Sequence, residues 1–180
     1  MVRKKYADDF RLENVLDTNG KLKTRAVYRG KWFRFRSDSH VIERMKRIYT
    51  ALAIISVLVL LSMLFTTDVM GNFWYVVMPL ACNLIPVFFV VAGCWQLLTA
   101  KDRVTREHKD QIHDRLAPAS MFQTVFALLG VVGGIVSDFR ISAFGFGRVL
   151  FLLGGLVLTA AGLFMFLLRK NLLMEETAAE

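Results

Sequence analysis

Four long stretches without a charged residue alternate with polar segments along the chain. They are Ile48–Thr67, Val69–Ala100, Leu116–Ser137 and Val149–Leu168. A helix rises about 1.5 Å per residue, so about 20 apolar residues cross a hydrocarbon core of about 30 Å. The pattern therefore predicts an all-α membrane protein built as a four-transmembrane-helix bundle. The predicted crossings are 48–66, 73–98, 117–137 and 146–168.

Positive charges are concentrated at one end of the predicted helices. Residues 1–47 hold 14 of the 23 Lys and Arg residues, and residues 101–116 hold five more. The connections at the opposite end hold only Arg140 and Arg148. Because connections rich in Lys and Arg stay on the cytoplasmic side, we expect a plasma-membrane protein with both termini in the cytoplasm.

The segment before the first crossing is predicted to form a small cytoplasmic arm, residues 1–39, ahead of a transmembrane domain, residues 40–180. Asn19-Gly20 is a strong two-residue hairpin signal. The stretch Trp32–Arg36 alternates aromatic with basic residues, which gives a strand one aromatic and one cationic face. These signals predict a β-hairpin-like arm, with the third strand added to the hairpin as a meander.

The net charge of +8 indicates a membrane surface rather than a nucleic acid as the partner of the arm. All of that excess lies before the first crossing, where Lys and Arg are attracted to the anionic inner leaflet by about 1 kcal/mol each. No DNA- or RNA-binding motif is present. The residues expected to contact lipid headgroups or a partner are Trp32, Arg34, Arg36, Arg44, Lys46 and Arg47.

The charged connection Lys101–Leu116 carries Val104, His108, Ile112 and Leu116 at i,i+4 spacing, on one helical face. This spacing predicts an amphipathic helix along the cytoplasmic surface or a continuation of the second helix. Pro118 is acceptable in the first turn of a helix, so the third crossing is expected to begin there.

Small residues mark one face of the third and fourth predicted helices. Gly130 and Gly134 form a GxxxG pair, which allows close approach of helix backbones in a membrane. The predicted packing interface consists of Gly130, Gly134, Gly147, Gly154, Gly155 and Gly162. Packing of the third helix on the fourth is the favoured interpretation, and a contact with a second copy or a partner is the alternative.

Few polar side chains fall inside the predicted crossings. The notable ones are Asn83, Gln96 and Gln123, which are candidates for lining a solute pathway. None of them ionises, which disfavours a proton-coupled exporter that depends on a membrane carboxylate.

Motifs for catalysis or metal binding are missing from the sequence, so no enzyme activity, cofactor or metal is expected. Cys82 and Cys94 are about 18 Å apart along one helix, too far for a disulfide. His108 and His113 are five residues apart, which does not place them on one face of a metal-binding helix. Arg148 is expected to pair with Asp68 or Asp138 at the outer end.

A non-catalytic accessory or scaffold subunit of a membrane complex is the favoured function, in contact with the lipid bilayer and with another membrane protein or itself. The alternative is a small transporter or channel for an apolar or neutral solute. A membrane enzyme acting on lipid ranks third, because its catalytic group would have to come from the charged connection.

Overall fold

A computed structural model describes residues 4–16, 22–65, 73–101, 103–141 and 146–177. The N-terminal part contains a 3₁₀ helix (Lys4–Asp9) and the strands β1 (Phe10–Leu16), β2 (Leu22–Tyr28) and β3 (Trp32–Phe35). The bundle contains α1 (Ser39–Phe65), α2 (Trp74–Thr99), α3 (Arg106–Ile141) and α4 (Phe146–Leu168). Two more strands are β4 (Val104–Thr105), before α3, and β5 (Met174–Thr177), after a 3₁₀ turn at Arg169–Leu172.

Four helices within the described ranges are long and apolar enough to cross a membrane, which confirms the predicted helical bundle. The boundary of the third helix was predicted wrongly. α3 starts at Arg106 and runs through Pro118 without interruption, so the charged connection is neither a separate helix nor an extension of α2. The Pro118 ring is exposed on the helix surface, and continuing the helix buries Ile112 and Leu116 in the core.

The N-terminal hairpin is confirmed, but the predicted three-stranded meander is wrong. β1 and β2 pair antiparallel from Phe10↔Tyr28 to Leu16↔Leu22, and the predicted Asn19-Gly20 turn lies outside the described residues. β3 pairs instead with β4 and β5, in the order β4-β3-β5. We call this second sheet the base sheet, because it covers one end of the bundle.

Burial of aromatic side chains explains why β3 leaves the hairpin. Phe33 and Phe35 are buried in the same cluster as Tyr49, Cys94 and other side chains of the helices. Burying an aromatic ring stabilises the fold by about 1.5 to 3 kcal/mol. Pairing with β2 would give up that burial.

Glycines of the bundle differ in what lies beside them. A Cβ on Gly155 or Gly162 would approach α3 to 2.5 Å, at Val131 and Thr124 respectively, whereas Gly154 faces Met63 of α1. On α3 itself, Gly133 lies against the Tyr75 carbonyl oxygen of α2. A Cβ on Gly130 would meet nothing within 4 Å.

The other two predicted interface glycines lie near the ends of α3 and α4. The Gly134 carbonyl accepts a hydrogen bond from Ser137 Oγ at 2.7 Å. Gly147 is the second residue of α4 and is half-buried.

Gly133→Ala is expected to destabilise the bundle, whereas Gly130→Ala serves as its matched control. The new Cβ would lie 2.5 Å from the Tyr75 carbonyl oxygen, which is backbone and cannot rotate away, at a cost of about 1–3 kcal/mol. Gly130→Ala should be neutral or stabilising by up to about 1 kcal/mol through helix propensity. Thermal unfolding in detergent measures both, and equal midpoints for the two variants would contradict the packing described.

Candidate functional site

The base sheet and the hairpin attached to it form the first candidate site. Along β3, Phe33 and Phe35 point into the bundle, whereas Trp32 and Arg34 are exposed. The strand therefore turns its aromatic side to the core and its cationic side outward. Arg36 follows on the same outer surface.

Carboxylates of β5 partly neutralise this cationic surface. Lys31 Nζ lies 2.8 Å from Glu176 Oε1, and Arg36 Nε lies 3.3 Å from Glu175 Oε1. All four side chains are at least half exposed, and exposed pairs contribute little to stability. Arg34 makes no ion pair with a described residue and is available to a partner.

Tyr28 fastens the hairpin to the base sheet. Its hydroxyl donates to the Lys31 carbonyl oxygen at 2.8 Å and accepts from the Arg106 backbone N–H at 3.0 Å. Its ring makes edge contacts with Phe10 and Trp32, at centroid distances of 5.2 and 5.1 Å. Burial raises the pKa of Tyr28, so the hydroxyl stays protonated at neutral pH and keeps both hydrogen bonds.

Beyond this attachment, the hairpin pairs only with itself in the described part of the chain. Leu12 is 77% exposed. An isolated two-stranded hairpin is marginally stable in water. Among the described strands, no third strand is added to either side of the hairpin, which stands on a fixed base.

Predicted headgroup contacts on α1 occupy two different environments. Arg44 and Arg47 are exposed, and Arg47 lies 3.9 Å from Glu43 in an i,i+4 pair. Lys46 instead donates to the Ala100 carbonyl oxygen at 2.6 Å. That carbonyl lies at the C-terminal end of α2, where a cation offsets the negative end of the helix dipole.

Buried amides in the middle of the bundle form the second candidate site. Asn83 and Gln123 are fully buried. Gln123 Nε2 donates to Ser56 Oγ at 2.9 Å and to the Leu158 carbonyl oxygen at 3.2 Å. One side chain of α3 thus connects α1 and α4. Gln123 Oε1 and both amide atoms of Asn83 have no hydrogen-bond partner in the described structure.

The predicted pathway residues do not form one continuous line. Contacts of Gly93 with Leu116 and of Gly133 with Tyr75 align α2 with α3. This alignment places Asn83 within about one turn of the level of Gln123. Gln96 is about 20 Å further along α2. Its backbone carbonyl oxygen lies at hydrogen-bond distance, 2.9 Å, from His108 Nε2.

Potential metal ligands do not converge in the described part of the chain. No group of three or more His, Cys, Asp and Glu side chains there could hold a metal ion. Cys94 is buried, and its thiol donates to the Tyr49 carbonyl oxygen at 3.5 Å. Arg148 is buried at the end opposite the base sheet, and the side chains of its predicted partners, at positions 68 and 138, lie outside the described residues.

Sequence reasoning missed two concave surfaces. Cavities of about 450 and 490 Å³ share Cys82 and Phe126, and together they make an apolar groove along α2 and α3. A third cavity, of about 360 Å³, lies between the start of α3 and the segment after α4, and it includes Lys109 and Arg169. Lys109 and Arg169 are 60 positions apart in the sequence, and no sequence motif links them.

Asn83→Leu and Gln123→Leu are expected to differ in their effect on stability. Leucine at position 83 removes two buried polar atoms without partners, so the melting temperature should stay the same or rise. Leucine at position 123 removes two interhelical hydrogen bonds, each worth about 0.6 to 1.7 kcal/mol in membrane proteins, so the melting temperature should fall. Thermal unfolding in detergent distinguishes them. A lower melting temperature for Asn83→Leu than for Gln123→Leu would contradict this account of the polar layer.

Comparison with known proteins identifies no relative of this chain. Family models, curated proteins and solved structures were all compared with the chain, and none matches it.

Proposed function

We propose that this chain is a non-catalytic accessory or scaffold subunit of a membrane complex, with the base sheet and hairpin on the cytoplasmic side of the plasma membrane. The observation that carries the proposal is the β1–β2 hairpin, which is fixed at its base and pairs only with itself in the described structure. A partner protein would dock there.

Strand addition is the docking mode that this geometry favours. The outer edge of a hairpin presents unpaired N–H and C=O groups, to which an extended segment of another protein can pair. Tyr28 holds the base through two hydrogen bonds and two ring contacts. A fixed base lowers the entropy lost on binding, which favours recognition by the hairpin.

Charge indicates what kind of segment would pair. The exposed Arg11 lies on the hairpin, and the exposed Arg34 lies on the neighbouring sheet. Opposite charges placed across strand pairs are stabilising. We therefore expect an acidic, extended segment of the partner.

Excising the hairpin is expected to abolish association with the partner while the bundle remains folded. Phe10 and Tyr28 face each other in the register, so an Asn-Gly turn can join them directly in place of residues 11–27. Affinity purification of tagged protein from native membranes, with quantitative mass spectrometry, measures which companions remain at a fixed ratio.

A matched control keeps the hairpin and removes only exposed charge elsewhere at the same end. Lys101→Gln combined with Lys170→Gln changes two exposed cations and should leave every companion in place. Thermal unfolding should be similar for wild type and both variants. If the excised variant retained all stoichiometric companions, the hairpin would not be the docking element and the proposal would be lost.

Transport of a neutral solute is the second candidate function. The buried, unpartnered amide atoms of Asn83 and Gln123 favour it, because polar groups inside a membrane bundle often mark a solute pathway. Against it stands the apolar cluster that includes Tyr49, Leu97 and Met165, which lies between the amides and the base sheet.

Flux through purified protein in liposomes tests the alternative. A transporter predicts that Asn83→Leu abolishes flux without disturbing assembly, and that the native protein purifies without a companion. An accessory subunit predicts a stoichiometric companion and no flux in wild type.

A further inference from the structure

The cavity beside the start of α3 combines a charged rim with an apolar wall. Lys109, His113 and Arg169 line its polar side, and Leu116, Leu172 and Leu173 line its apolar side. Its volume is about 360 Å³, within the range of sites that hold small ligands. Two cations from distant parts of the chain thus face one concave space.

The position of this cavity coincides with the boundary between polar and apolar sequence on both helices. Along α3, the first charged segment ends at Arg115, and Leu116–Ser137 is free of charge. Along α4, the charge-free stretch ends at Leu168, and Arg169 follows directly. Lys and Arg at the ends of membrane-spanning helices lie at the level of the lipid headgroups.

Aromatic rings hold both cations in place. Lys109 Nζ lies 4.0 Å from the centroid of the buried Phe33 ring, and Arg169 Cζ lies 3.9 Å from the Phe166 ring centroid. Neither cation forms an ion pair with a described residue. Cations positioned in advance lose less entropy when they bind an anion.

The acidic residue in the cavity wall is already engaged by the protein. Asp110 Oδ2 accepts a hydrogen bond from the buried Tyr6 hydroxyl at 2.9 Å. The wall therefore carries two cations and one such carboxylate, with His113 able to add a donor. The balance is positive and suits an anionic ligand.

We propose that this cavity binds the phosphate headgroup of an anionic phospholipid. Lys109 and Arg169 donate charge-assisted hydrogen bonds to phosphate oxygens, and the glycerol and upper acyl chains lie against Leu116, Leu172 and Leu173. A basic pocket at the end of membrane helices is the usual form of such a site. The apolar wall distinguishes a lipid from a soluble phosphate, which would leave it uncovered.

Native mass spectrometry of the purified full-length protein tests the site. Wild type is titrated with a phospholipid carrying a phosphomonoester headgroup and, separately, with zwitterionic phosphatidylcholine. We expect preferential retention of the anionic lipid. Lys109→Gln with Arg169→Gln should weaken its binding by at least about tenfold, because two charge-assisted contacts are lost.

Lys101→Gln with Lys170→Gln is the matched control, because it removes the same charge from exposed positions outside the cavity. Binding should change by less than about twofold, since the lost contacts are exposed and screened. Leu173→Trp is a second variant that keeps all charges. Leu173 is 47% exposed at the cavity wall, so the larger ring should block lipid without disturbing the core.

Three results would overturn the proposal. One is equal retention of both lipids by wild type. Another is an equal loss of binding in the cavity variant and the control, which would show nonspecific attraction to charge. The third is competition by inorganic phosphate at the same concentration as lipid, which would assign the site to a soluble anion.

Discussion

Hydrogen bonding along both edges of β3 holds the polar end of the protein together. One edge pairs with β4, where the chain passes from α2 to α3, and the other pairs with β5, which follows α4. The Arg36 backbone N–H extends this pairing by donating to the Leu173 carbonyl oxygen at 2.9 Å. Phe33 and Phe35 are buried beneath this strand. A strand of four residues thus joins the α2–α3 connection to the segment that follows α4. The hairpin, the outward cations and the cavity beside the start of α3 all take their positions from it.

The interior of the bundle satisfies its polar groups unevenly. Gln123 joins three helices through two hydrogen bonds, and Tyr49 adds another connection by donating to the Met165 carbonyl oxygen at 2.6 Å. Asn83 is as deeply buried as Gln123 but contributes no such connection in the described structure. A buried amide without a partner costs about 1–3 kcal/mol. The asparagine is therefore a feature that packing does not explain, and it is the strongest support for a solute pathway.

The helices were predictable from sequence because a membrane crossing requires about 20 consecutive residues without charge. A single stretch such as Leu116–Ser137 meets this requirement by itself. The base sheet was not, because β4 has only two residues and β5 reads Met-Glu-Glu-Thr, which carries no strand pattern. Their pairing with β3 depends on contacts between distant segments. Gly130 and Gly133 illustrate the same limit. The sequence predicted Gly130 and not Gly133 for the packing interface, yet in the bundle Gly133 lies against α2, whereas a Cβ on Gly130 would meet nothing within 4 Å. Likewise, no local signal joins Lys109 to Arg169.

The pairing of β3 with β5 also imposes an order on folding during synthesis. β3 leaves the ribosome before any of the four apolar helices, whereas β5 is made after all of them. While the helices are being inserted, β3 therefore lacks β5, and Phe33 and Phe35 lack part of the helical cluster that buries them. An unpaired strand with exposed apolar side chains is prone to aggregation. The base sheet can close only after α4 is in place, so its closure reports that insertion is complete. A reporter of proximity between Arg36 and Leu173 would therefore follow the last step of biogenesis.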